Sequence, residues 1–170
     1  TVLRQGWGVE PLTEGQAACV STMSYNEYWV VRDAGYSPEQ LTVFKYQSEG
    51  ASTLEDGLYV HEKNLSDAAF KDKMVRFVRA SMKGWKYAEA NPKEAAMIIL
   101  DNDDAGVQTE KHQVRMMGEI AKLTAGSNGS LDPADYERTV KVLMSGDSDP
   151  VITKKPSGAW TNEITNAALN

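Results

Sequence analysis

The residues best suited to bind a small molecule lie in one short segment, Thr22 to Glu27. The segment follows a compact apolar stretch that predicts a buried strand, and it precedes an aromatic-rich stretch that predicts a helix. In open α/β sheets, ligands bind beyond the carboxyl ends of the strands. Tyr25 offers a flat aromatic face, while Asn26 and Glu27 offer directional hydrogen bonds. Together with Thr22 and Ser24, these residues predict a site for a heterocycle with polar edges.

A structural role is the alternative for several side chains near this segment. Tyr28 and Trp29 are interpreted as packing residues, and Ser24 can equally act as a helix cap. Trp7 stands between two glycines at the end of the first predicted strand, where a core role and a ligand-binding role both stay open. Asp56 precedes the last predicted strand and is either a turn residue or an acid lining a cleft near a hinge. Trp7 and Asp56 complete the predicted site.

Patterns typical of catalytic and metal sites are missing from the sequence. His61 and His112 have no partner at the spacing of a metal site, and the glycines beside Trp7 lack the rest of a dinucleotide fingerprint. No serine occupies a G-x-S-x-G turn. Cys19 is the single cysteine, which excludes an intramolecular disulfide and a cysteine-based zinc cluster. We therefore expect no catalytic centre, no metal and no cofactor.

The composition excludes two further classes of partner. The net charge is −6 and the lysines are spread through the predicted helices, whereas binding to nucleic acid needs a basic stripe. The longest apolar run, residues 95–100, falls far short of the roughly 20 residues that a membrane helix requires. At 170 residues, with 41% apolar and 25% charged residues, the chain has the composition of a globular domain with a real core.

Strands and helices alternate in the first 62 residues, and helices dominate afterwards. The predicted strands are Thr1–Gln5, Ala17–Thr22, Leu41–Tyr46 and Leu58–His61. Two helices are predicted among them, a short one at Pro11–Gly15 and a longer one at Asn26–Ala34 that ends at Gly35. A part with so few strands buries too little surface to be stable alone. We therefore expect it to need more sheet than this sequence supplies.

The longest predicted helix starts after Ser66, an N-cap candidate, and ends at Asn91 because Pro92 cannot continue it. Its apolar stripe consists of Phe70, Met74, Phe77, Val78, Ser81, Met82, Trp85 and Ala88. Trp85 is assigned to packing, as is Trp160. Further helices are predicted at Pro92–Leu100, at Gln108–Leu123 with Val114, Met117, Ile120 and Ala121 inside, at Ala134–Ser145 after an Asp132 cap, and at Asn162–Leu169.

The order of residues along the chain resembles the substrate-binding proteins of bacterial ABC importers. The resemblance rests on F-x-x-x-M-x-x-F-V-x-A-x-x-x-G-W-x-Y-A-x-x-N-P-x-E-A from Phe70, L-x-x-G-Q-x-A at Leu12–Ala18, Y-N-E at Tyr25–Glu27, L-E-D-G-L-Y-V at Leu54–Val60, L-D-P-A-D-Y at Leu131–Tyr136 and I-T-K-K-P-x-G-A-W at Ile152–Trp160. The branch that it resembles most handles thiamine-pyrimidine precursors, flavins and small sulfonates.

The resemblance implies an α/β fold of the periplasmic-binding-protein type, in which two lobes joined by crossover strands clamp a ligand. Residues 1–56 would be part of the second lobe with a short mixed sheet, residues 57–62 a crossover strand, and residues 63–170 a helical segment completing the first lobe. The sheet of the first lobe has no counterpart here, and Thr1 begins directly in a predicted strand without a leader. We expect the C-terminal portion of a longer protein.

By the same resemblance, the function is that of an extracytoplasmic solute-binding protein, lipid-anchored or soluble, that delivers a small heterocycle to an ABC permease without catalysis. With one wall of the cleft missing, we expect poor affinity, and an uncovered apolar stripe through which the chain dimerises. Taurine or nitrate matches less well, because an anion site would contain arginine and none is among the residues of the predicted ligand-binding rim.

Two alternatives stay open. A fungal branch with the same fold makes the thiamine pyrimidine by consuming its own histidine, and it carries a cysteine-rich iron motif that is missing here. The second alternative is a sensory ligand-binding module, which a fused membrane or kinase segment in the full gene would indicate.

Overall fold

The computed structural model describes residues 2–146 and 149–169. These residues form α-helices and two short 3₁₀ helices, and none of them forms a β-strand. The α-helices are α1 (Glu10–Thr13), α2 (Glu27–Asp33), α3 (Ala68–Ala90), α4 (Pro92–Asp101), α5 (Glu110–Thr124), α6 (Pro133–Leu143) and α7 (Glu163–Leu169), and the 3₁₀ helices are Pro38–Gln40 and Glu62–Ser66.

The predicted short mixed sheet is therefore not found among the described residues. Irregular or turn-forming chain is found in all four segments predicted as strands: residues 2–5 of the first, Ala17–Thr22, Leu41–Tyr46 and Leu58–His61. Thr1, the first residue of the first predicted strand, lies outside the described residues. A strand is defined by ladder hydrogen bonds to a neighbour, and apolar alternation alone cannot supply that neighbour. The crossover strand predicted at residues 57–62 is likewise irregular, and it leads into a 3₁₀ turn.

The helix predictions are confirmed with small shifts of their ends. Pro92 opens α4 at its first position, directly after the end of α3. The Asp132 carboxylate accepts from the backbone N–H of Ala134 at 2.7 Å and caps α6 as predicted. Gly35 follows α2 with φ of 103°, a conformation that residues with a Cβ avoid.

The cap of α3 differs from the prediction. Asp67, not Ser66, accepts hydrogen bonds from the first backbone N–H groups, those of Ala69 at 2.9 Å and Phe70 at 3.4 Å. The Ser66 hydroxyl donates instead to the Lys63 carbonyl within the preceding 3₁₀ turn. A carboxylate one residue closer to the helix satisfies more of its free donors, so it displaces the serine.

The described chain divides into two compact units. The first unit comprises residues 1–42 and 85–126, and the second comprises residues 43–84 and 127–170. The boundary between residues 84 and 85 falls inside α3. The predicted boundaries at residues 56 and 62 refer to the lobes of a larger fold and stay a prediction.

The core of the first unit lies between α4 and α5. Ala95 and Ala96 of α4 are buried against Met117 of α5, and Ala88, Ile99 and Val114 surround them. The alanines allow the α5 backbone to approach closely, and Met117 fills the remaining gap. Val114 and Met117 thus lie on the inner face that the sequence predicts for α5.

The second unit is held largely by polar contacts to backbone groups. Asn162 both donates to the Leu131 carbonyl and accepts from its N–H, at 2.9 and 3.0 Å. Arg79 donates to the carbonyls of Ala167 and Ala168 at the end of α7. The rings of Tyr136 and Trp160 also meet, with centroids 5.9 Å apart, which agrees with a packing role for Trp160.

The predicted apolar stripe of α3 is incompletely covered. No residue of α3 is buried, and Phe77 and Trp85 are 54% and 44% exposed. Among the described residues, no helix is long and apolar enough to span a bilayer.

Candidate functional site

A tight turn at residues 24–26 places the predicted ligand-binding residues at the start of α2. The Met23 carbonyl accepts from the N–H groups of Asn26 and Tyr28, at 3.2 and 3.3 Å. The Glu27 carboxylate reaches back and accepts from the Met23 N–H at 2.8 Å. Glu27 therefore closes the turn on which Ser24, Tyr25 and Asn26 stand.

A hydrogen-bond network joins this turn to α5. The Asn26 side-chain amide donates to Glu27 Oε1 at 3.1 Å, and Asn26 Oδ1 lies 2.8 Å from Nε2 of His112. Asn26 and His112 are 86 residues apart in sequence. Thr109 caps α5 by accepting from the His112 backbone N–H, which orients the first turn of that helix. The network contains two predicted site residues and one histidine outside the prediction.

The far end of α2 is tied to α5 by charge. Asp33 accepts from Arg115 at 2.9 and 3.3 Å and from Lys111 at 2.9 Å. These hydrogen bonds, first from Arg115 and then from Lys111, lower the pKa of Asp33 from 3.8 to about 2. The carboxylate is about a third exposed, so water screens part of this attraction.

The aromatic residues of α2 pack in the same place. Tyr28 and Trp29 meet edge to face with centroids 5.2 Å apart, and the Arg115 guanidinium carbon lies 4.9 Å from the Trp29 ring centroid. Both tryptophan and tyrosine thus have the packing contacts that the sequence predicts. The indole Nε1 of Trp29 is buried without a hydrogen-bond partner among the described residues.

Gln5 holds the segment that precedes the turn. Its side-chain amide donates to the Ser21 carbonyl and accepts from the Ser21 N–H, both at 2.8 Å, and it also donates to the Gly8 carbonyl. One side chain thereby joins two segments that were each predicted as a strand. Thr22, next to Ser21, is half-buried.

The predicted site residues are only partly brought together. Asn26 and Glu27 share a hydrogen bond, and Tyr25 is half-buried beside them, whereas Ser24 is exposed. Trp7 is 99% exposed in a bend of the first unit. Asp56 belongs to the second unit, where it is exposed in irregular chain.

Two surface hollows lie away from these residues. One, of about 460 Å³, is lined by Tyr59, Val60, His61, Asn64 and Phe70 of the second unit. The other, of about 500 Å³, is lined by Asn91, Pro92, Lys93, Glu94 and Met97 of the first unit. Beside the second hollow, the Glu94 carboxylate accepts from the Tyr87 hydroxyl and raises the pKa of that phenol.

The described residues contain no group of three or more His, Cys, Asp or Glu side chains that could hold a metal ion. Cys19 is exposed. Three charged or titratable residues outside the predicted site join α2 and its preceding turn to α5: His112 contacts Asn26 in the turn, and Arg115 binds Asp33 at the far end of α2. Their signal in the sequence is the spacing of His112 and Arg115 by three positions, which puts them on one helix face.

Comparison with protein families gives a match that covers the first part of the chain. The family model described as "NMT1/THI5 like" matches residues 1–95, more than half of the chain. These residues include the turn at residues 24–26, all of α2 and all of α3. Searches of curated proteins and of solved structures found no match.

Proposed function

We propose a function from the premise that this chain belongs to the NMT1/THI5-like family: it is part of the extracytoplasmic solute-binding component of an ABC importer. It binds a small nitrogen heterocycle of the pyrimidine or flavin type between two lobes and does not transform it. The family match is the observation that supports the class of function. The polar and aromatic groups at Tyr25–Glu27 support the class of ligand.

The charges near the site support a neutral, hydrogen-bonding ligand over a small anion. The predicted site residues include no arginine, but the fold brings Arg115 onto the neighbouring Trp29 ring. Its guanidinium already makes two hydrogen bonds to Asp33, and Lys111 binds the same carboxylate. A sulfonate would have to compete with Asp33 for these cations, whereas a heterocycle uses Glu27 as an acceptor.

Titration of the ¹⁵N-labelled chain against 4-aminopyrimidine, riboflavin and taurine tests the ligand class, and it is carried to the solubility of each compound because we expect poor affinity from this portion alone. We expect 4-aminopyrimidine or riboflavin to shift the amide signals of residues 22–29, and taurine to leave them unchanged. Glu27→Ala should weaken binding by about 1–3 kcal/mol, because it leaves a donor of the ligand without its acceptor. Glu14→Ala, an exposed acid of the same unit, is the control. Equal affinity of Glu27→Ala and wild type would remove Glu27 from the site.

We further propose that this chain is the C-terminal portion of the binding protein and that another part of that protein covers its uncovered surface. The described chain exposes 12490 Å². Two separate compact bodies of about half its mass would expose about 10,000 Å² together, so about 2,500 Å² is in excess. An obligate interface buries roughly 2,000–5,000 Å² counted over both partners, so this excess on one chain is large enough for one. Phe77 and Trp85 of α3 are among the exposed apolar side chains that such an interface would cover.

The proposed partners are the small ligand, the membrane permease and, for the chain on its own, a second copy across the same apolar surface. Light scattering over a range of concentrations tests the last proposal. We expect a rising mass in wild type and a lower one in Phe77→Glu, with Ala80→Glu on the same helix as the control. A constant monomer mass in wild type would exclude the dimer.

Absence of catalysis is part of the proposal. It is supported by the single cysteine, since the iron-dependent synthase branch of this fold carries several. Incubation with ferrous iron under air, followed by chromatography for a released pyrimidine, tests it. Iron retained on the protein together with a pyrimidine product would favour the synthase instead. A kinase or membrane segment in the full gene would favour a sensory module.

A further inference from the structure

The direction of the hydrogen bond between His112 of α5 and the predicted turn follows from Glu27. An ionised carboxylate only accepts, so the group of Asn26 that faces Glu27 is its donating NH₂. Asn26 Oδ1 then faces His112, and because a carbonyl oxygen only accepts, Nε2 of His112 carries the proton between them. His112, Asn26 and Glu27 thus form a chain of donors and acceptors with one polarity.

Glu27 keeps acceptor capacity within this chain. A carboxylate has about four places for incoming hydrogens, and the Met23 N–H and the Asn26 amide take two of them. Both contacts fix the plane of the carboxylate, so its remaining acceptor places have a fixed direction.

We propose that His112 is a positioning residue of the ligand site, a role that rests on the function proposed above. By donating to Asn26 it fixes the amide of Asn26, which in turn fixes Glu27 as an oriented acceptor. The site then selects a ligand whose edge donates N–H groups, such as the exocyclic amine of an aminopyrimidine, over an isomer that presents only acceptors there.

Four other charged groups of these two helices, Asp33, Glu110, Lys111 and Arg115, have separate partners or positions. At the far end of α2, Asp33 binds Lys111 and Arg115. Glu110 precedes Lys111 in the first turn of α5, where a negative charge is favoured by the helix dipole. The donor that reaches Asn26 Oδ1 from α5 is His112.

Proton-detected NMR of the imidazole groups tests the network without a ligand. We expect a slowly exchanging ring proton on Nε2 of His112 in wild type and its loss in Asn26→Ala. His61, which is exposed in the second unit, serves as the internal control and should show no such signal. A His112 proton on Nδ1, or an Nε2 proton that persists unchanged in Asn26→Ala, would overturn the proposal.

Binding of 4-aminopyrimidine to histidine variants tests the positioning role. We expect His112→Ala to raise the dissociation constant about 3- to 10-fold, which corresponds to one ordinary hydrogen bond. His112→Gln, which still carries a donor, should restore affinity to within about 2-fold of wild type. Equal affinities of wild type and His112→Ala would refute the role. If the chain shows the His112 Nε2 signal but binds none of the probes, both the proposed function and the positioning role of His112 are refuted. If the chain binds a probe but lacks that signal, the positioning role alone is refuted.

Discussion

The two compact units hold their helices together by different means. Among the residues that the structure describes, five buried apolar residues lie in the first unit, Val9, Val31, Ala95, Ala96 and Met117, and two in the second, Val140 and Ala168. The second unit relies more on side chains that bind backbone groups, as Arg79 does at α7 and Asn162 does at Leu131. Apolar burial is collective, whereas exposed polar contacts each add little. We expect the first unit to be the more sensitive to single substitutions.

The largest effect should come from a charge placed between α4 and α5. Ala96 is 0% exposed, so Ala96→Asp buries an unpaired carboxylate and should cost about 3 kcal/mol or more. Urea unfolding followed by circular dichroism measures the loss. Ala80→Asp on the exposed part of α3 is the control and should cost less than about 1 kcal/mol. Similar losses in both variants would mean that α4 and α5 are not packed as described.

A cavity in the same place should cost somewhat less. Met117→Ala removes the side chain that fills the space beside Ala95 and Ala96, and we expect a loss of about 2 kcal/mol. Met97→Ala on α4 makes the same substitution at an exposed position and should cost well under that amount. If the two alanine variants unfold at the same urea concentration, the first unit has no packed core there.

In the second unit, loss of the Arg79 contacts should cost about 1 kcal/mol, because Arg79 is an exposed residue and water partly screens its charge. Arg79→Met should accelerate amide hydrogen exchange in α7 with little effect on α4 and α5. Arg76→Met, which removes only an exposed pair with Asp72 on α3, is the control and should leave α7 unchanged. Equal protection of α7 in both variants would contradict the comparison of the units.

The smallest effect concerns Asp33 and pH. Its pKa is lowered in the folded chain, so its contribution to stability is present above the ordinary value of 3.8 and is lost as the pH falls towards about 2. Because the carboxylate is about a third exposed, we expect less than about 1 kcal/mol. The difference in unfolding free energy between wild type and Asp33→Asn, measured from about pH 5 to pH 2, should shrink across that interval. A constant difference would show that the ion pairs with Arg115 and Lys111 do not form in solution.

Local signals in the sequence were sufficient for the helices. Pro92 marks the boundary between α3 and α4, Asp132 marks the start of α6, and Gly35 marks the end of α2, because each residue acts on the backbone within one turn. The cap of α3 was misassigned by one residue, since Ser66 and Asp67 both have suitable side chains.

Contacts between distant segments could not be read in the same way. The partners of Asn26 and Asp33 lie on α5, and those contacts join residues separated by 86 and 82 positions. Buried Gln113 was also missed: its exposure is 3%, and no apolar pattern identifies a buried amide. The predicted strands failed for a related reason, because pairing depends on a neighbour that periodicity does not specify.

The pair of hydrogen bonds between the Gln5 side chain and the Ser21 backbone has a practical consequence for storage of this protein. Deamidation would turn Gln5 into a carboxylate and place a negative charge against two carbonyl oxygens, those of Ser21 and Gly8. Deamidation releases the side-chain NH₂ group of Gln5 as ammonia, so both hydrogen bonds that this group donates would be lost. In aged samples, proteases should therefore cut the residues before α1 more readily. Intact-mass analysis can identify deamidated or cleaved protein before it is used in a binding assay.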